Sequence, residues 1–159
     1  MEENTQQVQF LLKILSNQLK KEFNATLKSY GLTKAQFDTL LFLSCRQEED
    51  AQINQRDLES FFQISNPTVS SMLSRLESKN LIERHTSRSD RRIRYITITD
   101  EARDLVGRIS GALNKKRSEM FAGIDPEDLD TVKRVLTQIF YNLTGKEEIQ
   151  FDFNFMQTN

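Results

Sequence analysis

Several residue types are scarce in this chain of 159 residues, and each scarcity excludes a class of protein. The single cysteine, Cys45, cannot form an internal disulfide, which favours a reducing, cytoplasmic location. The single histidine, His85, leaves too few ligands for most histidine-based metal sites, so we expect no bound metal and no other cofactor. No apolar run approaches the roughly 20 residues that cross a bilayer, so we expect no membrane partner.

The groupings of residues that carry catalysis are also missing. None of the five glycines belongs to a phosphate-binding loop, and no pair of carboxylates lies in an apolar setting. No candidate nucleophile has both a base and an orienting group beside it in the pattern of known active sites. The sequence therefore predicts a protein that is not an enzyme.

Charge is distributed unevenly along the chain, although the net charge is only −1. The segment 75–94 holds seven basic and three acidic residues, a net of +4, so the remainder carries −5. A basic patch on an acidic body is typical of local nucleic-acid contact. The alternative is a solvated surface with no partner.

Apolar periodicity predicts a mainly α protein with six helices and one hairpin. The first helix carries an apolar stripe from Val8 to Tyr30, which is longer than an ordinary surface helix of a small domain needs. The last begins at Asp125-Pro126-Glu127, which supplies a cap, a proline and an acid in the preferred order. Two alternating segments, 81–86 and 93–98, form the hairpin. Its tip lies within "SRSDRRIRYIT".

Two short helices before the hairpin predict a helix-turn-helix. The second has the sequence "NPTVSSMLSRLESK", in which Asn66 is expected to cap and Pro67 to take the first helical position. Small hydroxylic side chains on its outer face let the backbone approach base edges, and arginine can bind guanine through two hydrogen bonds. Serines that merely tolerate solvent are the alternative. The predicted DNA contacts on this helix are Thr68, Ser70, Ser71, Arg75 and Lys79.

The order of these elements resembles the MarR family of winged-helix transcription regulators. The most specific matches are "DRR" at 90–92, followed after a strand by "ITITDEA", and "NPTVSSMLSRLESKNLIER", which is similar to the family's recognition helix and its exit into the wing. The resemblance implies a winged helix-turn-helix with a two-stranded β wing. Residues 33–124 would form this DNA-binding region, and residues 1–32 and 125–159 would form the dimerisation region.

The resemblance also assigns roles to the wing residues. Arg92 would enter the minor groove, where negative potential is concentrated, and Asp90 would hold its guanidinium ready for insertion. Phosphate contacts or long-range attraction would come from Arg88, Arg91 and Arg94. The implied protein is a homodimeric repressor that binds duplex DNA at a pseudo-palindromic operator.

The resemblance also implies how such a regulator is released from DNA. Family members often bind small amphipathic or aromatic molecules between the dimerisation helices and the winged helix. The residues expected to line such a crevice here are Phe10, Ile14, Tyr30 and Phe37. Two alternatives remain open, namely a redox-sensing regulator that acts through Cys45 and a winged helix used only for protein–protein contact.

Replacement of Asp90 by alanine should weaken DNA binding even though it makes the protein more positive. Simple charge attraction predicts the opposite sign, because the loss of a carboxylate favours a polyanion. Arg92→Ala should lose more affinity than Arg88→Ala, which serves as the matched control. Titration of one duplex at moderate salt measures all three. An Asp90→Ala variant that binds more tightly than the parent would show that Asp90 does not orient Arg92.

Overall fold

The computed structural model describes residues 2–48, 52–87 and 93–146. It has the predicted class, mainly α with a two-stranded antiparallel wing. Two units are distinguished, Met1–Leu113 and Asn114–Asn159, with the boundary inside the fifth helix. The elements in the described ranges are α1 (Glu2–Ser29), α2 (Lys34–Glu48), α3 (Gln55–Phe62), α4 (Asn66–Ser78), β1 (Ile82–Thr86), β2 (Arg94–Ile98), α5 (Asp100–Met120) and α6 (Pro126–Thr144).

Local capping determines where α2 and α3 begin. At the start of α2, the Thr33 amide donates to Gln36 Oε1 at 3.1 Å, and the Gln36 amide donates to Thr33 Oγ1 at 3.3 Å. At the start of α3, the Asn54 amide donates to Asp57 Oδ2 at 2.8 Å, within a second capping box. Each box satisfies amides that a helix leaves without an intrahelical partner. The spacing of Thr33 and Gln36 in the sequence predicts the first of these boxes, and the structure confirms it.

The core of the first unit lies where α2, α3 and α4 meet. Thr39 of α2 is fully buried, and its hydroxyl donates to the Ala35 carbonyl at 2.8 Å and lies 3.3 Å from Met72 Sδ. The polar atom is therefore satisfied inside an apolar environment, as burial requires. The other side chains with essentially no exposed surface are aliphatic and include Leu27, Leu40, Leu43, Leu58, Val69, Leu73, Leu76 and Ile109.

The wing is joined to the helices through its inner face. Strands β1 and β2 pair antiparallel, with Ile82 opposite Ile98 and Thr86 opposite Arg94. Both isoleucines are buried, and the Ile96 amide donates to the Ile53 carbonyl at 2.8 Å, just before α3. The alternation of buried and exposed residues follows the two-residue period of a strand. These contacts fix the base of the wing beside the helix-turn-helix.

The turn between α1 and α2 depends on Gly31. Its φ is +72°, in the left-handed region, and the Leu32 amide donates back to the Leu27 carbonyl at 3.0 Å. This is the hydrogen bond with which a Schellman motif closes a helix. A glycine directly after the apolar stripe that ends at Tyr30 predicts such a cap, and the structure confirms it.

The two terminal helices leave much apolar surface uncovered. No residue of α6 in the described part of the chain is buried. The exposed large apolar residues of α1 are Val8, Phe10, Leu11, Ile14, Leu15 and Leu19, and those of α6 are Val132, Val135, Leu136, Tyr141 and Leu143.

None of the helices in the described ranges combines the length and apolarity that crossing a bilayer requires.

Gly31→Ala and Gly107→Ala should change the free energy of unfolding in opposite directions. A side chain at the left-handed Gly31 costs about 1–2 kcal/mol. Gly107 lies inside α5, and apart from its chain neighbours and the adjacent backbone of that helix no atom lies within 4 Å of an added Cβ, so alanine there should add roughly 0.5–1 kcal/mol through helix propensity. Urea unfolding at one protein concentration measures both. A Gly31→Ala variant as stable as the parent would contradict the role given to this turn.

Candidate nucleic-acid interface

Helix α4 begins one residue earlier than its sequence indicates. Ser65 is the N-cap, and its carbonyl accepts from the amides of Thr68 and Val69 at 3.0 and 3.1 Å. The prediction that Asn66 caps the helix is therefore wrong by one position. Instead, Asn66 Nδ2 donates to Glu59 Oε1 of α3 at 2.6 Å. The asparagine thus holds together the two helices of the helix-turn-helix.

The outer face of α4 is formed by the residues that its packing excludes from the core. Val69, Met72, Leu73 and Leu76 are buried, at the three-to-four-residue spacing of a helical stripe. The structure brings the five helix residues predicted to contact DNA together on this helix. Of these, Thr68, Ser71, Arg75 and Lys79 are exposed, and Ser70 is half-buried.

The hydroxyl groups of α4 differ in their availability to a ligand. Thr68 Oγ1 lies 2.9 Å from Ser65 Oγ, so this pair stabilises the first turn. Ser74 Oγ donates to the Ser70 carbonyl at 2.9 Å, a local bond common in serine-containing helices. The hydroxyls of Ser70 and Ser71 make no side-chain hydrogen bond within the described residues. These two are therefore free to bond to a base or phosphate.

Arg75 of α4 and Lys79, its C-cap residue, make different contacts. Lys79 Nζ donates to the Gly31 carbonyl at 2.6 Å, which connects the end of α4 to the turn after α1. Sequence reasoning did not find this bond, because its partners are 48 positions apart. Arg75 is exposed, and no ion pair involves it within the described ranges. Of these two cations, Arg75 is thus the one that we expect to reach a base edge.

One of the predicted wing contacts, Arg94, lies within the described residues. The Ser87 amide donates to the Ile93 carbonyl at 2.9 Å and extends the pairing by one step toward the tip. Arg94 is exposed at the tip end of β2. The remaining predicted wing contacts, Arg88, Asp90, Arg91 and Arg92, lie outside the described residues.

Two other wing residues have partners that the sequence did not predict. Arg84 of β1 reaches back to α4, where Nη2 donates to Ser74 Oγ at 3.1 Å. His85 Nε2 lies 2.9 Å from Thr97 Oγ1 and 3.2 Å from Glu83 Oε2. The alternation of faces along a strand predicts that Arg84 and His85 lie on opposite sides of the wing, but it does not predict their partners.

The four residues predicted to line an effector crevice do not share one cavity in a single chain. Phe37 is buried in the core, with its ring centroid 6.2 Å from that of Phe23. Phe10 is 63% exposed and precedes Phe23 by 13 positions on α1, about 20 Å at 1.5 Å per residue. Ile14 is also exposed, and Tyr30 is half-buried.

Cys45 is half-buried on α2, where it follows Phe42 by three positions on the same side of the helix. The neighbouring Arg46 places its guanidinium carbon 5.6 Å from the centroid of the Phe42 ring.

In the part of the chain that the structure describes, no group of three or more His, Cys, Asp or Glu side chains is arranged to hold a metal ion.

Comparison with known proteins connects this geometry to regulators of transcription. Residues 30–93 match the model of the MarR family. The transcription regulator MarR from Oenococcus oeni PSU-1 is 32% identical, with a TM-score of 0.55 over 84% of this chain and 98% of that one. MepR, a transcription regulator of the Staphylococcus aureus multidrug efflux pump MepA, is 25% identical, with a TM-score of 0.75 over 86% and 98%. The S. aureus MepR–DNA complex is 26% identical, with a TM-score of 0.73 over 86% and 99%.

Arg75→Ala and Lys79→Ala should weaken DNA binding in different ways. Loss of a base contact by Arg75 should cost about 1–3 kcal/mol at one position of the site and relax the preference there. Lys79→Ala should weaken binding evenly across sequences and lower the salt slope by about one unit. Binding to a set of single-base variants at three salt concentrations separates these patterns. An even loss for Arg75→Ala would show that Arg75 reads no base.

Proposed function

Because this chain belongs to the MarR family of transcription regulators, we propose that two copies form a homodimer that binds a pseudo-palindromic operator. As a member of that family, the protein is a DNA-binding regulator and not an enzyme. The proposed role is that of a cytoplasmic repressor, released from its operator by a small ligand.

The observation that carries the homodimer is the uncovered apolar surface of the terminal helices. Leu11 and Leu15 of α1 are each 56% exposed, and Leu143 of α6 is 80% exposed. Exposed apolar surface of this extent on two helices is typical of a protein interface. We therefore assign residues 1–32 and 125–159 to dimerisation, and residues 33–124 to DNA binding.

A homodimer of this kind presents one copy of α4 from each chain. Helix-turn-helix dimers place their two reading helices in successive major grooves, so the half-sites are about ten base pairs apart. Arg92, with Asp90 as its orienting group, would add a minor-groove contact beside each half-site. Arg88, Arg91 and Arg94 would contact phosphates, which strengthen binding without reading sequence.

The proposed effector is a small amphipathic or aromatic molecule. MepR, one of the similar proteins, regulates a multidrug efflux pump, which is consistent with a ligand of this class. Phe10 and Ile14 are exposed on α1 and supply apolar surface for a ligand at the proposed interface. Tyr30, which adds a hydroxyl, and the buried Phe37 would join the same site only from the other chain of the dimer, since they lie too far from Phe10 within one chain.

Leu15→Glu should weaken the dimer, because it places a carboxylate where an apolar side chain is expected to be buried. Loss of that burial, about 1.5–3 kcal/mol per copy before the charge is considered, should raise the dimer dissociation constant at least tenfold. Gln9→Glu adds the same charge on the polar side of the same helix and should leave the constant unchanged. Sedimentation equilibrium measures both.

The oligomeric state of the parent protein also tests the homodimer. A parent that remains monomeric at micromolar concentration and still binds duplex DNA tightly would contradict the homodimer. The same conclusion would follow if Leu15→Glu and Gln9→Glu had equal dissociation constants.

A further inference from the structure

The side chain of Arg84 connects the wing to the recognition helix. Arg84 lies in the middle of β1, yet its side chain extends to α4 and is only 16% exposed. Nη2 donates to Ser74 Oγ at 3.1 Å, and Nε lies 3.3 Å from Glu77 Oε2. The two ends of one rigid, planar group thus contact two positions on the helix.

The contact with Ser74 uses the one proton and one of the two lone pairs of that hydroxyl within the protein. Ser74 Oγ donates its proton to the Ser70 carbonyl at 2.9 Å and accepts from Arg84 Nη2. A hydroxyl has one proton to donate. Ser74 therefore supports the position of Arg84, although it lies on the exposed side of the helix.

The contact with Glu77 balances an unfavourable charge. Glu77 is a carboxylate on the helix that approaches DNA, and its side chain is 47% exposed. A negative charge near a polyanion opposes binding unless a cation lies close to it. Nε of Arg84 is buried and makes no hydrogen bond within the described residues, so its attraction to Glu77 at 3.3 Å is electrostatic.

We propose that Arg84 is a positioning residue for DNA binding, which holds the wing at a fixed angle to α4 and neutralises Glu77. The proposal rests on the proposed function, in which α4 and the wing contact the duplex together. A wing that is already fixed loses less conformational freedom when the complex forms. The competing role is direct contact of Arg84 with a phosphate. Its low exposure and its two contacts within the protein disfavour that role.

The salt dependence of binding distinguishes the two roles. Removal of a phosphate contact lowers the slope of log K against log salt by about 0.9, because one fewer counterion is released. Removal of a positioning group lowers affinity at every salt concentration and changes the slope by less than about half a unit. Arg94→Met is the matched control, since Arg94 is an exposed arginine of the paired strand, and this variant should show the lower slope.

The experiment measures binding to one operator duplex, at four salt concentrations, for the parent, Arg84→Met, Arg84→Lys, Glu77→Gln and the double variant Arg84→Met/Glu77→Gln. We expect Arg84→Met to lose at least tenfold in affinity with nearly unchanged slope. Arg84→Lys should recover little, because an ammonium group cannot reach Ser74 and Glu77 as a planar fork does. In the Arg84→Met background, Glu77→Gln should restore several-fold affinity by removing the unbalanced carboxylate.

Other outcomes overturn the proposal. A slope that falls by about one for Arg84→Met, with full recovery in Arg84→Lys, would identify a phosphate contact. Parent-like affinity of Arg84→Met, or independent effects of the two substitutions, would show that the pair does not position the wing. Loss of affinity that Glu77→Gln does not relieve, together with a lowered melting temperature, would assign Arg84 a purely structural role. Binding by the parent and Arg94→Met tests the DNA-binding function separately.

Discussion

The burial of one side of α4 is the constraint on which the proposed interface depends. Val69, Leu73 and Leu76 have no exposed surface, and each contributes about 1.5–3 kcal/mol when it is buried. Rotation of the helix about its axis would expose them, so its orientation is fixed without any ligand. The exposed positions of Ser71 and Arg75 follow from this packing. The surface that we propose to contact DNA is therefore set by the core beneath it.

Cations around this helix have different roles, although their charges are the same. Lys79 and Arg84 donate to groups of the protein itself, at the Gly31 carbonyl and the Ser74 hydroxyl. Arg75 and Arg94 extend from the surface. The proposed DNA binding uses both features, since bonds within the protein hold elements in place while exposed cations, which include Lys79, can reach bases and phosphates.

Local features of this fold could be predicted from the sequence, and long-range contacts could not. The capping box at Thr33 and the left-handed Gly31 involve neighbours along the chain, so residue type and spacing identify them. Asn66 has the residue type of a cap, but its side chain bonds to Glu59 on another helix and Ser65 caps instead. The contacts of Lys79 and Arg84 depend on the packing of separate elements. The sequence therefore predicted which residues share the exposed face of α4 but not the long-range bonds that support it.

Cleavage of operator DNA from a probe attached to α4 tests most directly whether this helix reads the duplex. An iron chelate is attached to Ser71→Cys in a Cys45→Ser background, where it occupies the only thiol. Two clusters of strand cleavage about ten base pairs apart are predicted, one from each recognition helix of the dimer. Tight binding of the labelled protein without localised cleavage would show that α4 does not lie in the groove.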